Sequence, residues 1–342
     1  MKTAIVILNY NGKEMMRQYL PTLLSCSEGA DIYVADNGSK DGSVDMLADE
    51  FPQVKVIALD QNYGFAGGYN MAFRNMQSTG YSYYLLLNSD IEVTENWLKP
   101  LEDYMDIHAD VAACQPKLRA IRNREAFEYA GASGGFIDKY GYPFCRGRMF
   151  DVVEKDEGQY DDATEVMWAT GAALMIRCED WNNVAGFDDS FFAHNEEIDL
   201  CWRLRLMGRK IAVVPQSIVY HVGGATLKKG NPMKTFLNFR NNLTMLYKNL
   251  PDKDLQRVMR MRWMLDYVAA WQTLILNQNV GDFKAIYRAR REFRNIVRKN
   301  PSIRNEARKL VKEDLKEKQM LAPYSILVKY YLKGIRKYSQ IK

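Results

Sequence analysis

The sequence predicts an α/β protein with a mostly parallel central sheet, followed by a helical C-terminal region. Short apolar runs alternate with amphipathic stretches in the first 90 residues, which is typical of βαβ units. A polar segment follows each apolar run, as expected where strands end at a ligand crevice. After Asn231 the pattern is helical almost to the end of the chain. We therefore predict an α/β domain over residues 1–250 and a basic helical region over residues 251–342.

The predicted elements alternate in order along the chain. Apolar runs indicate strands at residues 3–8, 31–35, 54–59 and 83–88. Amphipathic stretches between them indicate helices at residues 13–25, 41–50 and 66–78. After a middle region rich in glycine and aromatic residues, the pattern indicates a strand at 171–177, a helix at 196–208, and a strand at 211–215 with its exit at 217–224. Three prolines interrupt the C-terminal helices: Pro251, Pro301 and Pro323.

Polar residues stand at the ends of four of the predicted strands. In an open α/β sheet the ligand crevice lies beyond the carboxyl ends of the strands, so these residues should converge on one rim. We expect them to bind a nucleotide or sugar there: Asn9, Tyr10, Asn11, Asp36, Asn37, Asn62, Asn88 and Ser89.

Two of these segments suit a nucleotide. Asp36 could accept hydrogen bonds from a ribose or a base, although residues 36–43 are equally typical of an Asx turn with a helix N-cap. Residues 62–70 form a glycine-rich loop before a helix, in which Gly67 and Asn70 suit close approach by a diphosphate or sugar. The loop does not match GxGxxG, which disfavours an oxidoreductase with a dinucleotide cofactor.

Asp90 and His221 are the candidate metal ligands. Asp90 follows a very apolar strand, where its carboxylate can hold a divalent cation that neutralises phosphates. His221 follows the last predicted strand and precedes two glycines. A solvated turn at Asp90 and a structural role for His221 are the alternatives.

Residues 191–203 carry the candidate catalytic group. Helical spacing explains the apolar face of this segment, and carboxylates complement the start of a helix, yet Glu196, Glu197 and Asp199 crowd together beside His194. Crowded carboxylates raise one another's pKa, so that one of them can accept a proton near neutral pH. We take Glu197 as the candidate base. His194 lines the acceptor site or is structural.

Composition excludes some classes of protein. Five cysteines are scattered without a CxxC pair, which argues against a disulfide framework or a zinc knuckle and favours the cytoplasm.

Residues 1–250 carry a net charge of −8 and residues 251–342 one of +13. The basic tail suits an anionic membrane surface, nucleic acid, or a solvated face of packed helices. Residues 263–276 are apolar but too short to span a bilayer.

Seven motifs in sequence resemble the family 2 glycosyltransferases, particularly the bacterial rhamnosyltransferase-like branch that builds surface polysaccharides. They cover about residues 3–245: VILNYNG, DNGSKDGS, NYGFAGGYN, LLLNSD, WATGAALMIR, GFDDSFFAHNEEIDLCWR and VYHVGG. The resemblance implies a GT-A fold, inversion at the anomeric carbon, a Mg or Mn ion, a dTDP- or UDP-sugar donor, and a glycan or polyprenyl-diphosphate-linked acceptor.

The resemblance also implies roles for single residues. Asp36 would contact the base or ribose, Asp90 would end the metal-binding DxD-type motif, and Glu197 would be the base. His221 would correspond to the histidine that some members add to the metal shell. The chain departs from the family pattern with Asn88 in place of Asp, and with Glu-Glu in place of Glu-Asp at 196 and 197.

The acceptor side and the partners are less defined by the sequence. We expect Trp168, Gly171 and Ala172 to floor the acceptor pocket, although they could belong only to a core strand and its turn. The rival function is a non-catalytic nucleotide or nucleic-acid binding protein, which the acidic crevice disfavours. We expect a cytoplasmic protein, with peripheral contact to the inner face of the membrane and oligomerisation both left open.

Overall fold

A ten-stranded mixed sheet forms the centre of the protein in the residues that the computed structural model describes, which are 2–77, 79–223, 231–316 and 320–341. Eight strands form its main path, in the order β12-β14-β6-β13-β4-β1-β2-β3. The strands of this path are β1 (Thr3–Asn9), β2 (Ala30–Asp36), β3 (Lys55–Ala58), β4 (Tyr83–Leu87), β6 (Val111–Ala120), β12 (Thr164–Val166), β13 (Ala173–Arg177) and β14 (Lys210–His221). Two short strands complete it: β5 (Ile91–Val93) beside β14 and β7 (Asn123–Phe127) beside β6.

The first half of the sheet is parallel. β1 pairs in parallel with both β2 and β4, and β2 pairs in parallel with β3. β13 runs antiparallel to both of its neighbours, β4 and β6, while β14 pairs in parallel with β6. The carboxyl ends of β1, β2 and β4 therefore meet at one edge, as the polar strand ends predicted.

The core lies on both faces of the sheet, because successive side chains of a strand point to opposite faces. In β1, Ala4 and Val6 belong to one buried cluster, whereas Ile5 and Ile7 belong to the other. Helices cover both faces: α1 (Lys13–Cys26), α2 (Ser43–Glu50), α3 (Gly64–Asn75), α4 (Leu98–Ile107), α5 (Cys178–Asn183) and α6 (Glu196–Leu206).

A second sheet of four short strands lies in the middle region, which the sequence left without predicted strands. Its members are β8 (Gly135–Ile137), β9 (Pro143–Cys145), β10 (Arg148–Met149) and β11 (Val152–Val153). The C-terminal residues pack against it: Ile326 and Tyr330 are buried with Phe144 and Met149.

The C-terminal region is helical, as predicted. Four helices follow the main sheet: α7 (Pro232–Asn249), α8 (Asp252–Ile275), α9 (Val280–Lys299) and α10 (Ile303–Arg308). The Arg304 guanidinium donates to the carbonyl oxygens of Tyr247 and Leu250, which joins α10 to the end of α7. In the described part of the chain, none of the helices combines the length and apolarity needed to cross a bilayer.

Candidate active site

The first polar cluster lies where β1 and β2 end side by side. Asn9 is paired in register with Asp36, and its Nδ2 donates to Asp36 Oδ1 at 2.8 Å and to Ser39 Oγ at 3.1 Å. The backbone N–H of Ser39 donates to Asp36 Oδ2 at 3.0 Å. Asn9 and Asp36 are buried, so these bonds fix the carboxylate in one orientation at the rim.

The mouth of this cluster is formed by Tyr10 and Asn11. The Tyr10 side chain is 52% exposed. Asn11 has a left-handed backbone (φ 52°), and its Oδ1 accepts from the backbone N–H of Lys40 at 2.8 Å. The turn after β1 is therefore tied to the turn after β2, and Tyr10 is left accessible to a ligand.

Asn37 joins this rim to the glycine-rich loop. Its Nδ2 donates to Asn62 Oδ1 at 3.1 Å and to the carbonyl oxygen of Gly64 at 3.0 Å. The backbone N–H of Tyr63 donates to Asn37 Oδ1 at 3.0 Å. Asn62 also caps the loop, since its Oδ1 accepts from the backbone N–H of Gly64 at 2.8 Å. The candidate donor residues of the first three strand ends therefore form one hydrogen-bonded unit.

The two remaining predicted residues of the glycine-rich loop pack inside the protein. A Cβ atom on Gly67 would lie 3.0 Å from the Cβ of Tyr63. Asn70 is buried; its Nδ2 donates to the carbonyl oxygen of Phe187 at 2.9 Å, and the N–H of Phe187 donates back to its Oδ1 at 3.0 Å. Both polar atoms of Asn70 are thus engaged by the segment before α6, which points to a positioning role.

Residues 187–195, here called the entry loop, lead into α6 and have a strained backbone. Phe192, His194 and Asn195 all have left-handed φ angles, of 62°, 72° and 68°. Such conformations are costly for residues other than glycine and persist where the surrounding structure holds them. The N–H groups of Phe65 and Ala66 donate to the carbonyl oxygen of Phe192 at 2.7 and 3.2 Å. The start of α3 therefore holds the entry loop.

Helix α7 holds the entry loop from the other side. Nδ2 of Asn241 lies within hydrogen-bond distance of three carbonyl oxygens, those of Phe191 (2.9 Å), Ala193 (2.8 Å) and His194 (2.7 Å). The Arg240 guanidinium donates to the carbonyl oxygen of Phe191 at 2.9 Å. Sequence reasoning missed both residues, because an Asn and an Arg within a helical pattern carry no signal of what they bond.

Gly64 is the point where the donor side and the entry loop touch, which allows a matched test. Gly64 has φ +74°, and a Cβ there would lie 2.5 Å from Phe192 Cδ2. Gly80 has nearly the same backbone (φ +75°) with nothing within 4 Å. We expect Gly64→Ala to lower kcat by on the order of tenfold to a hundredfold through displacement of the entry loop. Gly80→Ala should retain activity; equal losses in both variants would show that backbone strain alone is responsible.

Asn88, Asp90 and His221 come together at the end of β4. His221 Nε2 lies 3.1 Å from Asp90 Oδ1 and 3.4 Å from Asn88 Nδ2. Asp90 and His221 are both buried, and β14 brings them together by pairing His221 with Ile91. Ser89 is half-buried next to Gly12. The sequence-predicted metal ligands are therefore neighbours, although Gly224, the second glycine after His221, lies outside the described residues.

Glu128 completes this cluster and was not found from the sequence. Its Oε2 lies 3.3 Å from His221 Nδ1, so the histidine stands between two carboxylates. Burial opposes protonation of His221, but Asp90 and Glu128 outweigh burial and raise its pKa to about 10. A metal-ligating histidine must be neutral, so a cation bound here would displace a proton. A carboxylate on the outer nitrogen is the usual support of a metal-bound histidine.

The donor set suits a divalent cation only in part. Carboxylate oxygen and imidazole nitrogen are both ligands of Mn, and Mg prefers oxygen. Among the described residues, no group of three or more His, Cys, Asp and Glu side chains is arranged to hold a metal ion. The protein therefore offers Asp90 and His221, and substrate oxygens and water would have to complete the shell.

Glu196 and Glu197 begin α6 with carboxyl groups in an apolar setting. Burial raises the pKa of Glu197 to about 7, although backbone N–H groups at the helix start lower it. Burial, together with the charge of Glu197, raises the pKa of Glu196 well above its usual range. Oε2 of each residue is buried without a hydrogen-bond partner in the described part of the protein. Glu197 is the less buried of the two and has the pKa expected of a general base near neutral pH.

Asp199, by contrast, is fully engaged in a buried network. Its Oδ2 accepts from Arg203 Nε at 2.8 Å and from Lys248 Nζ at 3.0 Å, and its Oδ1 accepts from Asn249 Nδ2 at 2.8 Å. Asp199 is completely buried, and the network ties α6 to α7. The geometry thus favours a structural role for Asp199 over the catalytic one predicted from the sequence.

A structural role for Asp199 predicts that removing its carboxylate lowers the free energy of unfolding. Asp199→Ala should lower the free energy of unfolding by about 3–5 kcal/mol, because Arg203 and Lys248 would lose a buried partner. Urea unfolding of the two proteins measures the difference. A change below about 1 kcal/mol, the value usual for exposed pairs, would contradict the structural role.

The turn 170–172 lies between the metal candidates and α6, which begins with the candidate base. The N–H of Asn88 donates to the carbonyl oxygen of Ala172 at 2.9 Å. A Cβ on Gly171 would lie 3.6 Å from the Cβ of Glu197, so the glycine leaves room beside the candidate base. Gly171 and Ala172, which we predict to floor the acceptor pocket, therefore lie between the strand end at Asn88 and Glu197.

Trp168 and His194 are the other two residues that the sequence assigns to the acceptor side. Trp168 is buried, and its Nε1 donates to the carbonyl oxygen of Phe136 at 3.0 Å. Its ring lies directly on Gly135, so it forms part of the core under the turn. Burial, together with Lys234, lowers the pKa of His194 to about 4, so its ring is neutral at neutral pH.

Comparison with known proteins shows which sequences and folds the chain resembles. Residues 4–155 match the sequence model described as glycosyl transferase family 2. The chain is 23% identical over 233 residues to the N-acetylglucosaminyl-diphospho-decaprenol L-rhamnosyltransferase of Mycobacterium tuberculosis, covering 64% of this chain and 75% of that protein. It is 26% identical over 224 residues to rhamnosyltransferase WbbL of Escherichia coli K12, covering 64% and 82%.

The fold is similar to that of a solved glycosyltransferase. The crystal structure of GalNAc-T7 with UDP, GalNAc and Mn2+ superposes with a TM-score of 0.59 at 15% identity. The match covers 88% of this chain but only 57% of that one. Similarity at this level shows the fold alone, and it confirms the predicted GT-A fold with its helical C-terminal region.

Proposed function

We propose that the chain, whose residues 4–155 match the family 2 glycosyltransferases, is an inverting, metal-dependent glycosyltransferase. It would transfer a sugar from a nucleoside-diphosphate sugar to a hydroxyl group of a glycan or polyprenyl-diphosphate-linked acceptor. The main support is Glu197, a carboxyl group with a pKa of about 7 that lies across the 170–172 turn from the Asp90–His221 pair. A base and a diphosphate-binding centre on opposite sides of one turn suit a single displacement at a carbon between them.

In the proposed reaction, Glu197 accepts the proton of the acceptor hydroxyl while that oxygen forms a bond to the anomeric carbon. The bond from this carbon to the diphosphate oxygen breaks, and the electron pair leaves with the nucleoside diphosphate. Because the two oxygens are on opposite faces of the carbon, a single displacement inverts its configuration. The entry loop would hold Glu197 in place through the bonds from Asn241.

Asp90 and His221 would hold a Mg or Mn ion, with Asn88 beside them. Such an ion stabilises the negative charge that develops on the leaving diphosphate. Glu128, whose Oε2 lies 3.3 Å from His221 Nδ1, would add a negative charge on the outer side of the ring. Asp36, fixed by Asn9 and Ser39, would accept hydrogen bonds from the ribose or base of the donor.

The relatives suggest the substrate class. Two of them are named as rhamnosyltransferases, one of them acting on N-acetylglucosaminyl-diphospho-decaprenol, and the solved structure contains UDP. We propose a dTDP- or UDP-sugar as the donor, with rhamnose as the first sugar to test, and a role in the synthesis of a bacterial surface polysaccharide. A cytoplasmic location with peripheral contact to the membrane accords with a lipid-linked acceptor.

A donor screen tests the proposed function. Purified protein is incubated with a panel of dTDP- and UDP-sugars and with Mg or Mn, and release of the nucleoside diphosphate is measured. Protection against heat by dTDP and UDP is compared with protection by NAD. We expect protection by a nucleoside diphosphate and metal-dependent release from at least one donor. Protection by NAD alone, with no release from any donor, would refute the proposal.

A further inference from the structure

Helix α8 carries an exposed apolar stripe that the catalytic site does not use. Its members recur at helical spacing along one face: Trp263, Met264, Tyr267, Val268, Trp271 and Ile275. All but Tyr267 are between 49% and 67% exposed. With Tyr287 of α9, five of them line an open depression of about 610 Å³. Two exposed tryptophans and their aliphatic neighbours on one helix exceed the scattered apolar residues of an ordinary surface.

The opposite face of α8 is firmly packed. Asp266 is completely buried and accepts from Arg262 Nε at 3.0 Å, and it also pairs with Arg290 of α9. Val258 and Ala270 are buried on the same face. Because this face fixes the orientation of α8, the stripe is presented to the outside by the fold.

The exposed charged residues of segment 256–300, which holds the stripe and α9, are all positive. Twenty of the described residues 256–300 are exposed; none of these twenty is Asp or Glu. Eight of them are basic: Arg257, Arg260, Lys284, Arg288, Arg291, Arg294, Arg298 and Lys299. The acidic residues of this segment are buried or half-buried. Within residues 256–300 the apolar stripe therefore has a basic margin, formed by α8 and α9.

We propose that the α8 stripe and its basic margin form a surface that docks on an anionic lipid bilayer. An exposed patch of tryptophan and aliphatic side chains with lysine or arginine beside it is typical of protein surfaces that enter the interface of a membrane. A second copy of the chain fits less well, because self-association through the stripe would bring two basic margins close together. An anionic leaflet matches both the apolar and the charged parts of the surface.

The docking surface is linked to the entry loop by side-chain packing through α9 and α7. On the buried face of α9, Ala285 and Ala289 pack against Phe236 and Leu237 of α7, and Ala193 of the entry loop packs on the same cluster. One layer of helices therefore separates the α8 stripe from the entry loop, which leads into α6 and Glu197. The docking proposal rests on the proposed function in one respect: docking would bring the enzyme to a lipid-linked acceptor.

Flotation of the full-length protein with vesicles tests the docking surface. We expect binding to phosphatidylcholine vesicles that contain phosphatidylglycerol at low salt, release as salt rises, and little binding to phosphatidylcholine alone. The double variant Arg291→Gln/Arg298→Gln should lower partition into anionic vesicles by about 25-fold, because each basic residue near the leaflet contributes about fivefold. Trp263→Ser/Trp271→Ser should lower partition at low and at high salt.

Matched controls use exposed residues on other helices. Ile107→Ser removes an exposed apolar side chain from α4, and Arg74→Gln/Lys99→Gln removes two exposed positive charges. Both should float like the unmodified protein. Equal loss of binding in these controls, or no flotation of the unmodified protein, would overturn the proposal.

Two further measurements separate the remaining outcomes. If sedimentation shows a dimer that Trp263→Ser/Trp271→Ser dissociates, and the protein does not float, the stripe binds a second copy and the proposal is overturned. Protection against heat by dTDP or UDP is recorded for every variant, so that a folding defect is distinguished from lost docking. Flotation without release from any donor would support docking while refuting the proposed function.

Discussion

Replacing Glu197 by glutamine should lower kcat by at least about a hundredfold while the affinity for the donor changes little. Glutamine keeps the shape of the side chain but cannot accept a proton, and a positioned base contributes about 10²–10⁴-fold to such reactions. Glu197 has the pKa for this role, about 7, because burial disfavours its charged form. Initial rates at saturating donor and acceptor give kcat, and nucleotide titration gives the donor affinity.

The pH dependence follows from the same pKa. A base must be ionised to act, and the pKa of Glu197 is raised from 4.5 to about 7. Activity should therefore rise with pH up to about 7 and fall about tenfold per unit below it. This acid limb should disappear from the residual activity of Glu197→Gln. A profile that is flat between pH 5 and 7 would contradict the assignment.

Glu196→Gln is the matched control for this prediction. It removes the adjacent carboxyl group, which is buried and has a pKa well above its usual range. Glu196 is also less accessible than Glu197, which is half-buried beside Gly171, so this variant should retain most of the activity. If Glu196→Gln is inactive and Glu197→Gln is active, the two roles must be exchanged.

The parallel half of the fold could be predicted because its local and tertiary signals agree. Strands β1, β2 and β4 are short apolar runs followed directly by polar residues, and the structure places these ends at one rim. The meeting of Asp90 with His221 also follows from strand ends, although the two residues are 131 positions apart. The positions of the strand ends in the sequence were therefore enough to predict which residues lie at the rim.

The middle of the fold could not be predicted, because its strands bury polar residues. β6 contains Gln115 and Lys117, which are 0% and 1% exposed and hide the apolar pattern of a central strand. Lys117 is compensated by Asp156 at 2.9 Å, and the N–H of Thr170 donates to Gln115 at 2.9 Å. These partners are distant in sequence. Glu128 was missed for the same reason, since its contact with His221 depends on how β14 lies beside β6.

The three carboxylates of α6 show that sequence spacing alone does not assign a role to each residue. Glu196, Glu197 and Asp199 are equally acidic and adjacent in sequence, yet only the contacts of each residue separate their roles. Asp199 is surrounded by Arg203, Lys248 and Asn249, whereas an oxygen of each glutamate is buried without a hydrogen-bond partner in the described residues. The partners Lys248 and Asn249 come from α7, nearly fifty residues further along the chain.

Replacing Asp90 by alanine should abolish transfer and the metal-dependent part of nucleotide binding, while the fold is retained. Asp90 is one of only two charged or imidazole ligands that the described site offers, so without it His221 alone would remain to hold the cation. The leaving diphosphate would then lose most of the stabilisation that a divalent ion provides. Asp90→Asn keeps the size of the side chain and should show the same loss, which separates ligation from packing.

Calorimetric titration of dTDP or UDP with and without Mn measures this effect independently of turnover. The unmodified protein should bind the nucleotide more tightly with Mn, and both Asp90 variants should bind it equally with and without Mn. Glu92→Gln is the matched control, because Glu92 lies two residues away and pairs with Arg124 at 2.7 Å. That variant should retain the effect of Mn. An Asp90→Asn protein that still binds nucleotide more tightly with Mn would place the cation elsewhere, since an amide is a much weaker ligand than a carboxylate.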